Sequence, residues 1–191
     1  MYGPERDVYG MGELGELYLA MGDYKRAHEL LARSILSGER LLGPEHPGLC
    51  APLRYSSRLL LAEGKPREAL AVAERALKIH EKTFGDENHP DVAEDLVHIA
   101  AVRARLDGPS AAEPILRRAL AIERRTLPAG HINLVPILTA LGGVLSAQGR
   151  PGEAKALLEE AVAIARARLP ERHSERLAAE KALKELPTRP L

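Results

Sequence analysis

The chain predicts an all-α fold, a right-handed α-solenoid of about four antiparallel helix pairs closed by a C-terminal capping helix. The first reason is repetition: four stretches, 22–47, 64–90, 107–132 and 149–174, spell nearly the same pattern. The alanine that opens each copy stands at Ala27, Ala69, Ala112 and Ala154, at intervals of 42, 43 and 42 residues, and one inserted residue, placed at Asn88, accounts for the longer step. Such a period in a helix-favouring sequence belongs to stacked helical pairs, each of which can bury its apolar face only against its neighbours. The second reason is composition. With 45% hydrophobic residues but 3% aromatic and no tryptophan, packing falls to Ala, Leu, Val and Ile. Alanine lets helices approach closely, and both Ala and Leu favour helix. Punctuation is the third: each copy is broken at the same places by Gly, Pro and His.

Within a copy the order reads helix A, tight turn, helix B, loop. The A helices are expected at 6–21, 48–63, 91–106 and 133–148, and the B helices at 24–40, 66–83, 109–127 and 151–169. Gly22, Gly64, Asp107 with Gly108, and Gly149 mark the turns between them, since these residues accept positive φ or stop a helix. Pro66, Pro109 and Pro151 fall in the first turn of helix B, where a missing N–H leaves nothing unpaired. The repeats span about 6–42, 48–85, 91–128 and 133–170, within a single domain 1–191. In the segment that follows, 174–186, Leu177, Ala178, Ala182, Leu183 and Leu186 are separated by charges, as a helix closing the stack requires. At the other end GPERDVYG (3–10) is a shortened version of the GPEHP lead-in to the next repeat. The first helix therefore lacks an obvious cap, which fits either a domain cut from a longer protein or an exposed stacking face.

Composition also excludes function classes. Lys plus Arg and Asp plus Glu both number 27, so the basic excess of a general nucleic-acid binder is missing. No apolar run approaches the length of a membrane span, and the N-terminus lacks the basic and apolar regions of a signal peptide. One cysteine, Cys50, rules out an intrachain disulfide framework and suits a reducing compartment. The expected location is cytoplasmic.

The phrases RALKIHEKTFGDENHPDVAEDL (75–96) and RALAIERRTLPAGH (118–131) resemble the tetratricopeptide repeats of the kinesin light chain type, which have the same 42-residue length. The likeness recurs four times and spans nearly the whole chain. It implies that the small residue of helix A that packs close to its neighbour is Gly15, Ser57, Ala100 and Gly142 in successive repeats. A larger apolar residue stands at Met11, Leu53, Leu96 and Leu138, and helix B contributes Ala27, Ala69, Ala112 and Ala154, then Ser34, Ala76, Ala119 and Ala161. In that family the A helices line a concave surface that binds extended or helical peptides. The positions facing it are Tyr9, Gly12, Glu13 and Glu16, then Arg54, Tyr55 and Arg58. The third repeat offers Glu94, Val97, His98, Ala101 and Arg105, and the fourth Thr139, Ala140, Gly143 and Ser146. Family members carry an asparagine pair near the middle of helix A; here those places hold Gly12 and Glu13, Arg54 and Tyr55, Val97 and His98, and Thr139 and Ala140. The asparagine ladder is absent.

Catalytic signatures are wanting. There is no GxSxG, no phosphate loop and no dinucleotide fingerprint. HELLA at His28 lacks the second histidine of a zincin, since position 32 is Ala32. His46, His89, His131 and His173 recur at one loop position, which makes them loop architecture ahead of a helix start rather than metal ligands. His80 is expected in solvent on helix B, and Cys50 as a small packing residue. Glu159, Glu160, Arg166 and Arg168 read as a solvated outer face with i,i+4 pairs. Arg103 replaces the Tyr or Leu of the other repeats, which implies either snorkelling over its stem or a local distortion.

The chain is therefore expected to be a non-catalytic interaction scaffold with no cofactor and no metal. Arg54, Tyr55, Arg58, Glu94, His98 and Arg105 are the candidate groove residues. Arg54, Arg58 and Arg105 point to an acidic protein or peptide segment held by charge-assisted hydrogen bonds, with neither nucleic acid nor membrane as partner. Two other readings stay open: a regulatory or sensor portion of a larger multidomain enzyme, and a self-assembling module. The oligomeric state is left open: a monomer fits the scaffold reading, and a monomer mass independent of concentration rules out self-assembly.

Overall fold

Helix starts and stops follow from local chemistry. The computed structural model describes residues 5–85 and 88–187, with side chains from residue 8 onward. The helices are α1 (Glu5–Ala20), α2 (Tyr24–Leu42), α3 (Cys50–Ala62), α4 (Pro66–Phe84), α5 (Pro90–Asp107), α6 (Pro109–Thr126), α7 (Leu134–Ala147), α8 (Pro151–Arg168) and α9 (Ser174–Lys184). The expected bounds hold to within a residue or two. One difference is that the second A helix begins as a 3-10 turn, Pro47–Leu49. The first residues of the lead-in at 3–10 lie outside the described residues, as do the two that precede Asn88.

The turns between paired helices reuse one device. Gly22, Gly64 and Gly149 have φ of +77°, +77° and +75°, and the next residue donates its N–H back into helix A: Asp23 to Tyr18, Lys65 to Leu60 and Arg150 to Leu145, at 2.9, 2.8 and 2.9 Å. These bonds satisfy carbonyls the helix end leaves open. Pro66, Pro109 and Pro151 each begin their B helix. The recurrent loop histidines brace the chain as it turns into the following helix. Nδ1 of His46, His89, His131 and His173 accepts the N–H two residues on, from Gly48, Asp91, Asn133 and Glu175, at 3.1, 3.3, 3.3 and 3.3 Å. Their recurrence thus has a structural cause.

The chain gathers into a first compact unit ending at Val102 and a second beginning at Arg103, so the boundary falls inside α5. In the first unit α1 packs on α2, α3 on α4, α2 on α3 and α1 on α3. Leu49, Cys50, Leu53, Ala76 and Ile79 form one core cluster, and Ala27, Leu31 and Leu59 another. The Cys50 thiol donates to the Ala76 carbonyl, and burial pushes its pKa up to about 12. In the second unit α6 packs on α7, α7 on α8, and α9 closes against both α7 and α8. Leu138, Leu141, Leu145 and Leu158 are fully buried there.

Close approach explains the small residues. A Cβ on Gly15 would come within 2.8 Å of Leu31 Cγ, and one on Gly142 within 2.6 Å of Leu158 Cγ. In the second repeat the same two positions hold Ser57 and Ala73, a larger residue facing a smaller one, and Ser57 Oγ donates to the Ala69 carbonyl at 2.8 Å. The added bulk on one helix is offset by the smaller residue on the other, as a close-packed contact demands. Among the larger residues, Leu53, Leu96 and Leu138 are buried while Met11 is half-buried.

The outer charges differ from the expected intrahelical ladder. Lys155 and Glu159 do pair at i,i+4. Glu160, however, pairs with Arg124 of α6 at 2.6 Å, and Arg166 with Glu180 of α9 at 2.7 Å. Arg103 lies over the helix and reaches Asp107 at 3.3 Å, with α5 unbroken.

Candidate functional site

Three successive A helices of the first unit, α1, α3 and α5, hold a linked set of polar side chains. Tyr55 and Arg58 stand one turn apart on α3, and both reach α1. Arg58 Nη1 meets Glu16 Oε1 at 2.6 Å, and the Tyr55 hydroxyl lies beside the same carboxylate. Burial, then that carboxylate, raises the Tyr55 pKa above its ordinary value. On the other side Arg54 spans to α5, with Nη2 at 3.1 Å from Glu94 Oε2 and Nη1 at 3.3 Å from Asp95 Oδ1. Its Nε is buried with no hydrogen-bond partner.

Beneath this face lies a buried ionic cluster. The Asp95 side chain is fully enclosed, and its Oδ2 lies 2.6 Å from Nδ1 of His80, whose side chain is only 6% exposed. His80 therefore departs from the expectation of a solvated residue. The reason is register: its counterparts in the other repeats, Gly38, Glu123 and Ala165, are all buried. Asp95 likewise occupies the register of the buried Pro52 and Ile137. A polar side chain in a core register must find a hydrogen-bond or ionic partner, so the period itself could have identified both residues. Phe84 stacks between His80 and His89, with ring centroids 5.5 and 3.5 Å away.

His98 lies one turn beyond Glu94 and is half-buried. Desolvation, with the nearby Arg54 and Arg58, pulls its pKa down to about 4, so the ring presents an uncharged imidazole near neutral pH. Five of the candidate residues, Arg54, Tyr55, Arg58, Glu94 and His98, thus come together with Glu16. Arg105 is exposed on the last turn of α5, within the second unit. The two central arginines do not form a free basic strip, because Glu16, Glu94 and Asp95 already neutralise them.

Among the described residues no three His, Cys, Asp or Glu side chains are placed to hold a metal ion, and no helix is long and apolar enough to cross a membrane. What the geometry can do is present fixed donors, acceptors and an imidazole ring from a helical scaffold.

These features define a helical-hairpin repeat protein. A model of the tetratricopeptide repeat matches residues 8–82 and 91–167, and the chain belongs to that family. Nearly identical TPR-like repeats from Podosopora anserina, assigned to the kinesin light chains, are 28% identical and superpose with a TM-score of 0.73, covering 96% of this chain and 86% of theirs. BtubC from P. vanneervenii superposes at 0.74, with 20% identity, over 96% of this chain and 75% of its own, a likeness of fold. Clustered mitochondria protein homologs of Culex quinquefasciatus and Aedes aegypti are each 28% identical over 88 residues, 46% of this chain. That stretch is 6% of their own length. The all-α TPR solenoid is the fold class of the chain.

Proposed function

We propose that the chain is a non-catalytic protein-binding scaffold whose partner segment lies across the A-helix face of the first unit, over Arg54, Tyr55, Arg58, Glu94 and His98. One observation carries this reading: side chains from three successive A helices are interlocked by ion pairs and a shared carboxylate, so little entropy remains to be lost on binding. The Arg58–Glu16 pair is exposed by 43% and 36%, where such a pair is worth little in itself. It can be exchanged for a partner's charges at small cost. A wholly acidic segment would have to displace Glu16 and Glu94 from the arginines, whereas one carrying both signs exchanges pair for pair. The favoured ligand is therefore a protein segment of mixed charge. Arg105 is a separate candidate contact on the second unit.

The test is affinity capture with the wild-type chain and with Arg58→Glu/His98→Gln, the first at an exposed position and the second keeping the half-buried site filled. Proteins retained by the wild type and lost by a variant of equal melting temperature support the face. An unchanged captured set removes it.

A second reading has its own support. Because the matched stretch is 6% of its curated relatives, this kind of module occurs there inside far larger chains. A regulatory portion of a larger protein is the corresponding proposal, and the full reading frame decides it.

A further inference from the structure

The two carboxylates that flank Arg54 are not equivalent. No other copy of the repeat carries a charge at the register of Arg54, Glu94 or Asp95; the counterparts of Glu94, for instance, are Tyr9, Ala51 and Pro136. At this one place a single guanidinium serves two acids, Asp95 through Nη1 at 3.3 Å and Glu94 through Nη2 at 3.1 Å. The Asp95 side chain is fully enclosed, whereas that of Glu94 is 53% exposed.

Burial decides which of them keeps Arg54. An enclosed carboxylate has no water to turn to, so withdrawing its cation would strand a buried charge, while Glu94 can be solvated. The Arg54 side chain is itself only 12% exposed, its Nε is enclosed, and His80 holds the other oxygen of Asp95 at 2.6 Å. The guanidinium is thus a strut between α3 and α5 that offers an incoming segment almost no donor surface. Glu94 is the half of the arrangement that solvent reaches. Partial burial, opposed by Arg54 but joined by the like charges of Asp95 and Asp91, raises its pKa above the ordinary carboxylate value, so its negative charge is incompletely compensated. His98, one turn on, is uncharged near neutral pH and adds no cation there.

We propose that Glu94 is the specificity-determining contact of this face and takes a basic side chain, lysine or arginine, from the partner segment while Arg54 stays with Asp95, a role that rests on the partner reading above. The charges of the segment are then ordered. Its acidic residue lies over Arg58 of α3, the arginine whose exposed pair with Glu16 is open to exchange, and its basic residue lies over Glu94 of α5, the next A helix. Both contacts are charge-assisted hydrogen bonds. An acidic residue placed over Glu94 would meet like charge from Glu94 and from Asp91 three residues before it, which discriminates against a segment of one sign.

The test is selection of a phage-displayed library of random peptides on the immobilised wild-type chain, followed by titration of the enriched peptides against the chain in solution. Each should contain a basic residue, and Glu94→Gln should weaken binding by about tenfold with the melting temperature little changed. Glu94→Lys should reject these peptides and bind the versions in which that basic residue is changed to glutamate, a rescue that a merely structural role for Glu94 would not give. Peptides lost with Arg58→Glu yet held equally well by Glu94→Gln would leave the partner reading standing and overturn the assignment of Glu94. No enriched peptide, or peptides indifferent to both substitutions, would overturn the two together.

Discussion

Replacing Asp95 by alanine should destabilise the first unit more than any other single change to its polar groups. The carboxylate is fully enclosed and serves two cations or donors, Arg54 at 3.3 Å and His80 at 2.6 Å. A hydrogen bond to a charged group contributes about 1.5–3 kcal/mol, and removing one member of a buried pair costs about 3–5 kcal/mol. The Arg54 contact is long and Glu94 still supports that guanidinium, so it belongs at the low end; the His80 contact is short and dry. About 4 kcal/mol is the expected loss, which for a chain of this size lowers the melting temperature by roughly 10 °C. Urea and thermal melts followed by circular dichroism measure it. The matching triple variant, Arg54→Met/His80→Leu/Asp95→Leu, removes the desolvation cost along with the attraction and should fall within about 2 kcal/mol of the wild type. A loss below about 1 kcal/mol for Asp95→Ala, or a triple variant worse than the single one, would refute the reasoning.

His98 predicts a pH dependence. Its folded pKa of about 4 lies below the ordinary value of 6.5, so the unfolded chain takes up the proton first and stability falls as pH drops from about 7 toward 4. The contribution is about 2–3 kcal/mol across that window, and melts of His98→Gln should lack that component; parallel curves would count against it. Gly142→Ala places a methyl against Leu158 and should cost about 1–3 kcal/mol. Combined with Leu158→Ala, as the Ser57 and Ala73 pairing suggests, the two losses should sum to more than the double variant shows, by about 1 kcal/mol or more in a double-mutant cycle. Cys50, buried with its thiol pushed up to about 12, should react with an alkylating reagent only as fast as the first unit opens. Labelling at the rate of a free thiol in native buffer would contradict its packing.

Much of this protein is written in its period. Intervals of 42, 43 and 42 locate every helix to within a residue or two, because the turn glycines, the first-turn prolines and the loop histidines act through their immediate neighbours. The small residues Gly15, Ser57 and Gly142 were legible for the same reason: one register, read down four copies, reveals where two helices must touch. The same comparison held information that local chemistry hides. Helical spacing alone puts His80 on a polar stretch of helix B, yet its counterparts Gly38, Glu123 and Ala165 mark that register as buried.

The sequence by itself determined the scaffold and which side chains share the A-helix register, since both depend on spacing along the chain. Only the tertiary structure decided how the charges are spent. Arg54 lies 41 residues from Asp95, and Arg58 lies 42 from Glu16. Pairing across such separations depends on side-chain reach between neighbouring helices, which no local pattern encodes. A strip of arginines in the sequence therefore becomes a neutralised, interlocked face in the folded chain.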